Sequence, residues 1–190
     1  MADALTNIDA LREQLPDAAR DLKLNLSTVL GESGAPGLTA TQRWGAAITA
    51  AITAREQSLL DAVLADARAQ GTDDATVEAA KAAAAVMAMN NIYYRFTHLV
   101  SDEAYRTMPA RLRMNVIGRP GVPTEDFELY SLVASAINGC GACMDSHAAE
   151  LHKRGMSREA IQSGVRIAAV VHAVAVALDA ENPLRQRQAA

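Results

Sequence analysis

The sequence predicts an all-α fold. Apolar residues recur at helical spacing through the 190 positions, and no β-branched alternating run of convincing length interrupts them. Half of the residues are apolar but only 4% are aromatic, so the apolar content is mainly Ala, Val, Leu, Ile and Met. Such a composition suits closely packed helices with small side chains at their contacts. Helix caps and helix breakers stand between the apolar stretches, as a chain of successive helices requires.

The elements follow in order. A first helix is expected over residues 7–15, ending near Pro16, which then suits the first turn of a second helix reaching Leu30. The segment GESGAPGL, residues 31–38, is a loop. Thr39 caps the next helix, ATQRWGAAITAAITA. Another runs from about Glu56 to Gln70 and stops at Gly71. Residues 73–89 form a helix with two acids at its positive end, and a shorter helix follows over 91–99. The stretch RMNVIGRPGVPT, residues 113–124, divides the chain. Thr124 caps a helix that ends at Asn138-Gly139. The next opens at about Cys140 and closes at Gly155, and Ser157 caps a last helix to about Ala180.

The length fits a single domain, residues 1–190, or two small fused halves. A faint repeat supports the halves: residues 84–96 lie on 132–144, with Asn90 on Asn138 and Met89 on Ile137. Both copies read as a small-residue helix, an Asn-led break and a new helix. The first has Ile92 and Arg95 where the second has Cys140 and Cys143, so the chemistry belongs to the second half.

Charge narrows the function. A net charge of −4, with no basic run interleaved with aromatics, argues against nucleic acid and anionic membrane as partners. The longest apolar run, residues 167–178, is shorter than a bilayer span, and the opening residues do not read as a secretory signal. The expected compartment is the cytoplasm, where a cysteine pair is more often catalytic or metal-binding than a staple.

The only two cysteines lie in INGCGACMDSHAAEL, residues 137–151, and His147 follows the second by four positions. If a helix opens at Cys140, then Cys140, Cys143 and His147 line one side of it. The spacing lets the sulfurs approach within disulfide range, in a ring too small to be a useful staple. Free N–H groups at the helix start favour a thiolate on Cys140. The imidazole favours one on Cys143. On the preceding helix Glu128 heads a polar stripe with Ser131 and Ser135, and its carboxylate is placed to orient His147.

Duller readings compete. Zinc wants four ligands, and without a second Cys-x-x-Cys it would have to borrow His147 and Glu128. Haem attachment needs histidine directly after the second cysteine, where Met144 stands. Glu128 alone could be a helix-start acid. His98, His152 and His172 read as structural, His172 as packed or at an interface. Trp44, Tyr93 and Tyr94 read as core or subunit contacts.

The pattern Glu128, eleven residues, Cys140-Gly-Ala-Cys143, three residues, His147 resembles the signature of the alkyl hydroperoxide reductase AhpD family, within the carboxymuconolactone decarboxylase-like superfamily. LPDAARDLKLNLSTVL, MAMNNIYYRF and RMNVIGRPGVP…FELYSLVASAINGC look like family segments too. The resemblance implies an all-α, AhpD-like bundle of two similar halves, assembled as a homotrimer. It implies a peroxidase and disulfide reductase that keeps a peroxiredoxin, AhpC, reduced. No cofactor would be tightly bound. Electrons would come from dihydrolipoamide, the lipoyl group of a dihydrolipoamide acyltransferase served by dihydrolipoamide dehydrogenase. By position, Cys143 would be the attacking thiol that passes through a sulfenic acid, and Cys140 the proton donor and resolving thiol. The two would close a Cys140–Cys143 disulfide, with His147 and Glu128 as proton relay. Some members carry histidine just before the second cysteine; Ala142 stands here, so the relay is shorter or completed by water. The alternatives are a decarboxylase or other thiol-independent enzyme on the same fold, and a non-enzymatic metal-binding protein.

Overall fold

A computed structural model describes the backbone of residues 5–188 and the side chains of residues 5–181. Residues 1–4, on which the expectation of a leaderless opening partly rests, lie outside the described residues. The described chain is helical with no strand. The helices are α1 (Thr6–Arg12), α2 (Arg20–Leu30), α3 (Ala40–Ala54), α4 (Gln57–Ala69), α5 (Asp74–Leu99), α6 (Ala104–Thr107), α7 (Thr124–Asn138), α8 (Gly141–Lys153) and α9 (Arg158–Gln188).

Local chemistry accounts for most of the boundaries. Thr39 caps α3 in a reciprocal box: its hydroxyl accepts from the N–H of Gln42, and the Gln42 amide oxygen accepts from the N–H of Thr39. Glu56 and Asp73 cap α4 and α5 through their carboxylates. Ser157 Oγ accepts from the N–H of Ala160 at the start of α9. Other boundaries differ from expectation. The first helix ends at Arg12, and a 3-10 turn over Asp17–Ala19 stands between Pro16 and α2. Residues 31–38 contain a further 3-10 turn, Glu32–Gly34. Thr124 is the first residue of α7 rather than its cap, because Pro123, at φ −50° and ψ 140°, occupies the capping place.

The largest correction falls on α5. The expected break at Asn90 is absent, and the helix runs 26 residues from Asp74 to Leu99. The physical reason is the next residue. Asn90 is followed by Asn91, which stays helical, whereas Asn138 is followed by Gly139 at φ +70°. Only glycine enters that left-handed region without strain. Here it ends α7 with two bonds: Gly139 N–H to Ala136 O and Cys140 N–H to Ser135 O.

Two buried clusters hold the helices together. One joins α1, α2, α3, α4 and α9 around Trp44, Ile48, Leu59 and Ile167. The other joins α5, α7 and α8 around Met87, Phe127, Leu129, Tyr130 and Leu151. Each fully buried Leu or Ile contributes roughly 1.5–3 kcal/mol relative to exposure. Helix α7 lies between the clusters, against α3, α5, α8 and α9. Its seat depends on two residues without side chains: a Cβ at Gly45 would stand 2.1 Å from the Tyr130 ring, and one at Gly164 2.7 Å from Leu129. The Tyr130 hydroxyl donates to the Thr41 carbonyl at 3.2 Å. Because Leu129 and Tyr130 are fixed, Glu128 just before them and Ser131 just after are fixed in azimuth too.

Helix α9 also differs from expectation. The span Arg158–Glu181 is long and apolar enough, by length and composition, to cross a membrane, although its uninterrupted apolar run is short. In this fold Ile167, Ala168, Val171, Val174, Ala175 and Leu178 face the core. His172, expected to be packed or at an interface, is exposed on the single chain and so is not packed in its core.

Candidate active site

Cys140 closes α7 and opens α8. It ends the turn that follows Gly139, and as N-cap of α8 its Sγ accepts from the N–H of Cys143 at 3.3 Å. The two cysteines are joined as a disulfide with Cα atoms 5.3 Å apart. Their environments differ. Cys140 is fully buried, whereas Cys143 is 7% exposed and lines a cleft of about 660 Å³. His147, one turn further along α8, lines the same cleft, as does Glu128 from α7.

His147 Nδ1 and Glu128 Oε2 are 2.7 Å apart, and the two side chains are only 13% and 12% exposed. A carboxylate, when ionised, only accepts, so the proton of this bond sits on Nδ1, and in the neutral imidazole Nε2 keeps its lone pair. Glu128 therefore sets the tautomer of a base beside the disulfide. It is not a helix-start acid: α7 begins at Thr124, a full turn earlier. The rest of its stripe is spent differently. Ser135 accepts from the Asn91 amide at 2.9 Å, whereas Ser131 Oγ is buried without a hydrogen-bond partner.

A latch from α5 holds the junction of α7 and α8. Asn91 Nδ2 donates to Ser135 Oγ, Asn138 Nδ2 donates to Asn91 Oδ1, and Arg95 Nη1 donates to the Asn138 carbonyl at 2.7 Å. Two side chains of α5, Asn91 and Arg95, thus hold the residues just before Cys140. Met87, Asn90 and Tyr94, at positions i, i+3 and i+7, form the wall facing α8. Met114 and Ile117 of the 113–124 segment close one side, and Lys153 of α8 stands on its rim.

The expected residues Glu128, Cys140, Cys143 and His147 are thus brought together. His98 and His152 lie exposed, away from them. Trp44 is core, but Tyr93 and Tyr94 are half-buried and in edge contact, and Tyr94 belongs to the cleft. Sequence reasoning missed Asn90, Asn91, Arg95 and Met114. The available signal was a pair of asparagines inside an otherwise apolar helical face. Among the described residues no group of three or more His, Cys, Asp or Glu side chains is placed to hold a metal ion. The arrangement can perform thiol–disulfide chemistry: one buried sulfur, one at a cleft, and an oriented imidazole beside it.

Comparison with known proteins agrees with that chemistry. Residues 103–186 match the model of the Carboxymuconolactone decarboxylase family. The chain is 55% identical over 178 residues to the alkyl hydroperoxide reductase AhpD of Rhodospirillum centenum, covering 94% of each. It is 54% identical over 176 residues to that of Anaeromyxobacter sp. (strain Fw109-5), covering 93% of each. To that of Streptomyces coelicolor it is 53% identical over 175 residues, covering 92% of this chain and 96% of the relative. With similarity of this depth over nearly its whole length, the chain belongs to the alkyl hydroperoxide reductase AhpD family.

Proposed function

We propose that the protein is a dithiol peroxidase and disulfide reductase. The observation that carries this reading is the asymmetry of the disulfide: Cys143 opens on a cleft shared with the His147–Glu128 pair, and Cys140 is buried behind it. In the reduced protein His147 takes the Cys143 proton. The thiolate attacks the terminal oxygen of a hydroperoxide, the S–O bond forms, and the O–O bond breaks. The alkoxide leaves and takes back a proton from His147. Cys140 then attacks the sulfenic acid, forming the disulfide seen here and releasing water. Glu128 holds the imidazole in register and stabilises its charged form. The notional histidine at position 142 is an alanine, so this relay has two side chains and any further carrier is water.

The same sulfur serves exchange with other disulfides, since the accessible member of a pair is the one a thiol reaches first. The family name of the relatives supports a peroxiredoxin, AhpC, as the protein kept reduced. The resemblance supports dihydrolipoamide, carried by a dihydrolipoamide acyltransferase and renewed by dihydrolipoamide dehydrogenase, as donor. It also supports a homotrimer working in the reducing cytosol. The decarboxylase alternative leaves the paired cysteines and the oriented imidazole without a task, and the metal-binding one needs both sulfurs as thiolates, whereas here they are joined to each other.

The test is a thiol count by mass spectrometry before and after peroxide, with and without dihydrolipoamide, alongside lipoamide-dependent peroxide consumption. The pair should close with peroxide and reopen with the dithiol. Cys143→Ser should drop turnover to the background of uncatalysed oxidation; full activity in that variant would end this mechanism.

A further inference from the structure

Asn90 and Asn91 are neighbours on α5, both buried, and they are used in opposite ways. Asn91 spends both ends of its amide on the junction before Cys140. Asn90 is 4% exposed and its Oδ1 has no hydrogen-bond partner. A buried acceptor left unpaired costs about 1–3 kcal/mol, and folded proteins leave few of them. Asparagine is also a poor helix former. An apolar residue would suit the helix better, and Met87, one turn earlier on the same face, shows that the wall accepts one. Asn90 lines the cleft that holds Cys143, His147 and Glu128. The fold gives no return for that amide; a ligand with a hydroxyl hydrogen would.

We propose that Asn90 is a substrate-binding residue, its Oδ1 accepting the O–H of a hydroperoxide and so holding the terminal oxygen for attack by the Cys143 sulfur. The proposal rests on the peroxidase reading above and adds the residue that recognises the peroxide. The terminal O–H is common to all hydroperoxides, so Asn90 selects the reacting group and leaves the alkyl tail to Met87, Met114 and Ile117. The other half of the cycle has no such group. A dithiol reducing the Cys140–Cys143 bond presents sulfur, a weak donor, and exchanges S–S for S–S without any hydroxyl to be held. Asn90 therefore acts in one half-reaction only.

That asymmetry gives the experiment. Two rates are measured on wild type, Asn90→Leu and Asn90→Ser: oxidation of the reduced protein by tert-butyl hydroperoxide, and reduction of the disulfide by dihydrolipoamide, both by quenched alkylation and mass spectrometry. Oxidation by peroxide should fall about 10- to 100-fold in Asn90→Leu, the scale of one lost hydrogen bond to the reacting atoms. Reduction by the dithiol should fall far less, so that the ratio of the two rates drops by at least about tenfold. Asn90→Ser, which keeps an acceptor, should recover part of the oxidation rate, and it carries the same comparison if the leucine variant does not fold. Equal losses in both half-reactions would mean that Asn90 only supports the site, for instance by holding a structural water, and would overturn the proposal. So would an unchanged oxidation rate. A wild-type protein inert to peroxide would instead defeat the underlying peroxidase reading, a result distinct from a wild type that oxidises while the variants keep pace.

Discussion

Two stretches of this molecule begin alike and end differently. Residues 84–96 and 132–144 each carry a helix of small residues up to an asparagine, Asn90 or Asn138. In α5 the helix continues through Asn91 to Leu99. In the second stretch Gly139 takes the left-handed conformation, α7 stops, and Cys140 becomes the cap of a new helix. One glycine thus separates a rod from a hinge of two helices. The hinge places a sulfur at the start of α8, where free N–H groups point at it. The rod supplies the wall of the cleft and the latch on the hinge. At the same shift Ala80 and Leu99 stand where the second stretch has Glu128 and His147, so the first stretch lacks the relay as well as the thiols.

The most severe way to break this contrast, short of removing a thiol, is to remove the relay from the second stretch. Glu128→Gln keeps the size of the side chain and loses its charge, so the 2.7 Å bond to His147 Nδ1 no longer fixes the tautomer or stabilises the cation. Peroxide turnover should drop about 100-fold, with a displaced pH–rate profile. The disulfide should still form with a strong oxidant. A variant with wild-type rate and profile would reduce Glu128 to a packing residue.

Next comes the latch. Asn91→Ala leaves the Ser135 hydroxyl and the Asn138 amide without their partner across 44 and 47 positions of chain. Stability should fall by roughly 1–3 kcal/mol, read as a loss of about 2–4 °C in Tm for each kcal/mol. Because the latch grips the residues just before Cys140, thiol–disulfide exchange should also become less uniform, with more than one rate. No change in Tm would show that α5 leans on the junction without holding it.

Gly139→Ala tests the hinge itself. The left-handed backbone costs an alanine about 1–2 kcal/mol. The nearest atom that a Cβ would meet is Arg95 Nη1 at 3.9 Å, so the cost is conformational and not steric. Urea unfolding should show that loss. The complementary change, Asn91→Gly, should not create a break in α5 with the dithiol chemistry of α8, since Ile92 and Arg95 stand where the sulfurs would be.

These positions also show what a linear reading reaches. Residue order sufficed for the cap at Thr39, the end at Gly139, and the set Glu128, Cys140, Cys143 and His147, because each depends on neighbours within one or two turns or on a recognisable spacing. The continuity of α5 is not legible from the asparagine alone: Asn138 ends a helix because Gly139 follows it, and Asn90 is followed by Asn91. The cleft wall of Asn90 and Tyr94 was hidden for a different reason. It belongs to the site only through the packing of α5 on α7 and α8, which brings together residues more than 30 positions apart in the chain.

The smallest expected effect sharpens the contrast at the other end of the same two helices. Asp73 caps α5 from solvent, and hydrogen bonds from Thr76 lower its pKa from the ordinary 3.8. Asp126, in the first turn of α7, is shifted the opposite way: burial raises it, the Gln42 amide opposes, and the charge of Glu125 adds. The signs follow by linkage. The contribution of Asp73 is complete above the unfolded value and is lost as pH falls through the lowered folded value. That of Asp126 is complete below the unfolded value and is lost as pH rises through the raised one. Asp126→Asn, whose amide oxygen still accepts from Gln42, should therefore be more stable than wild type at neutral pH. The advantage should vanish in urea titrations near about pH 3, where the wild-type acid is itself protonated. Asp73→Ala should lose stability at neutral pH and converge on wild type only at more acidic pH. Opposite pH slopes for two helix-start acids would show that α7 begins inside the protein and α5 at its surface; parallel slopes would mean that Asp126 is solvated after all.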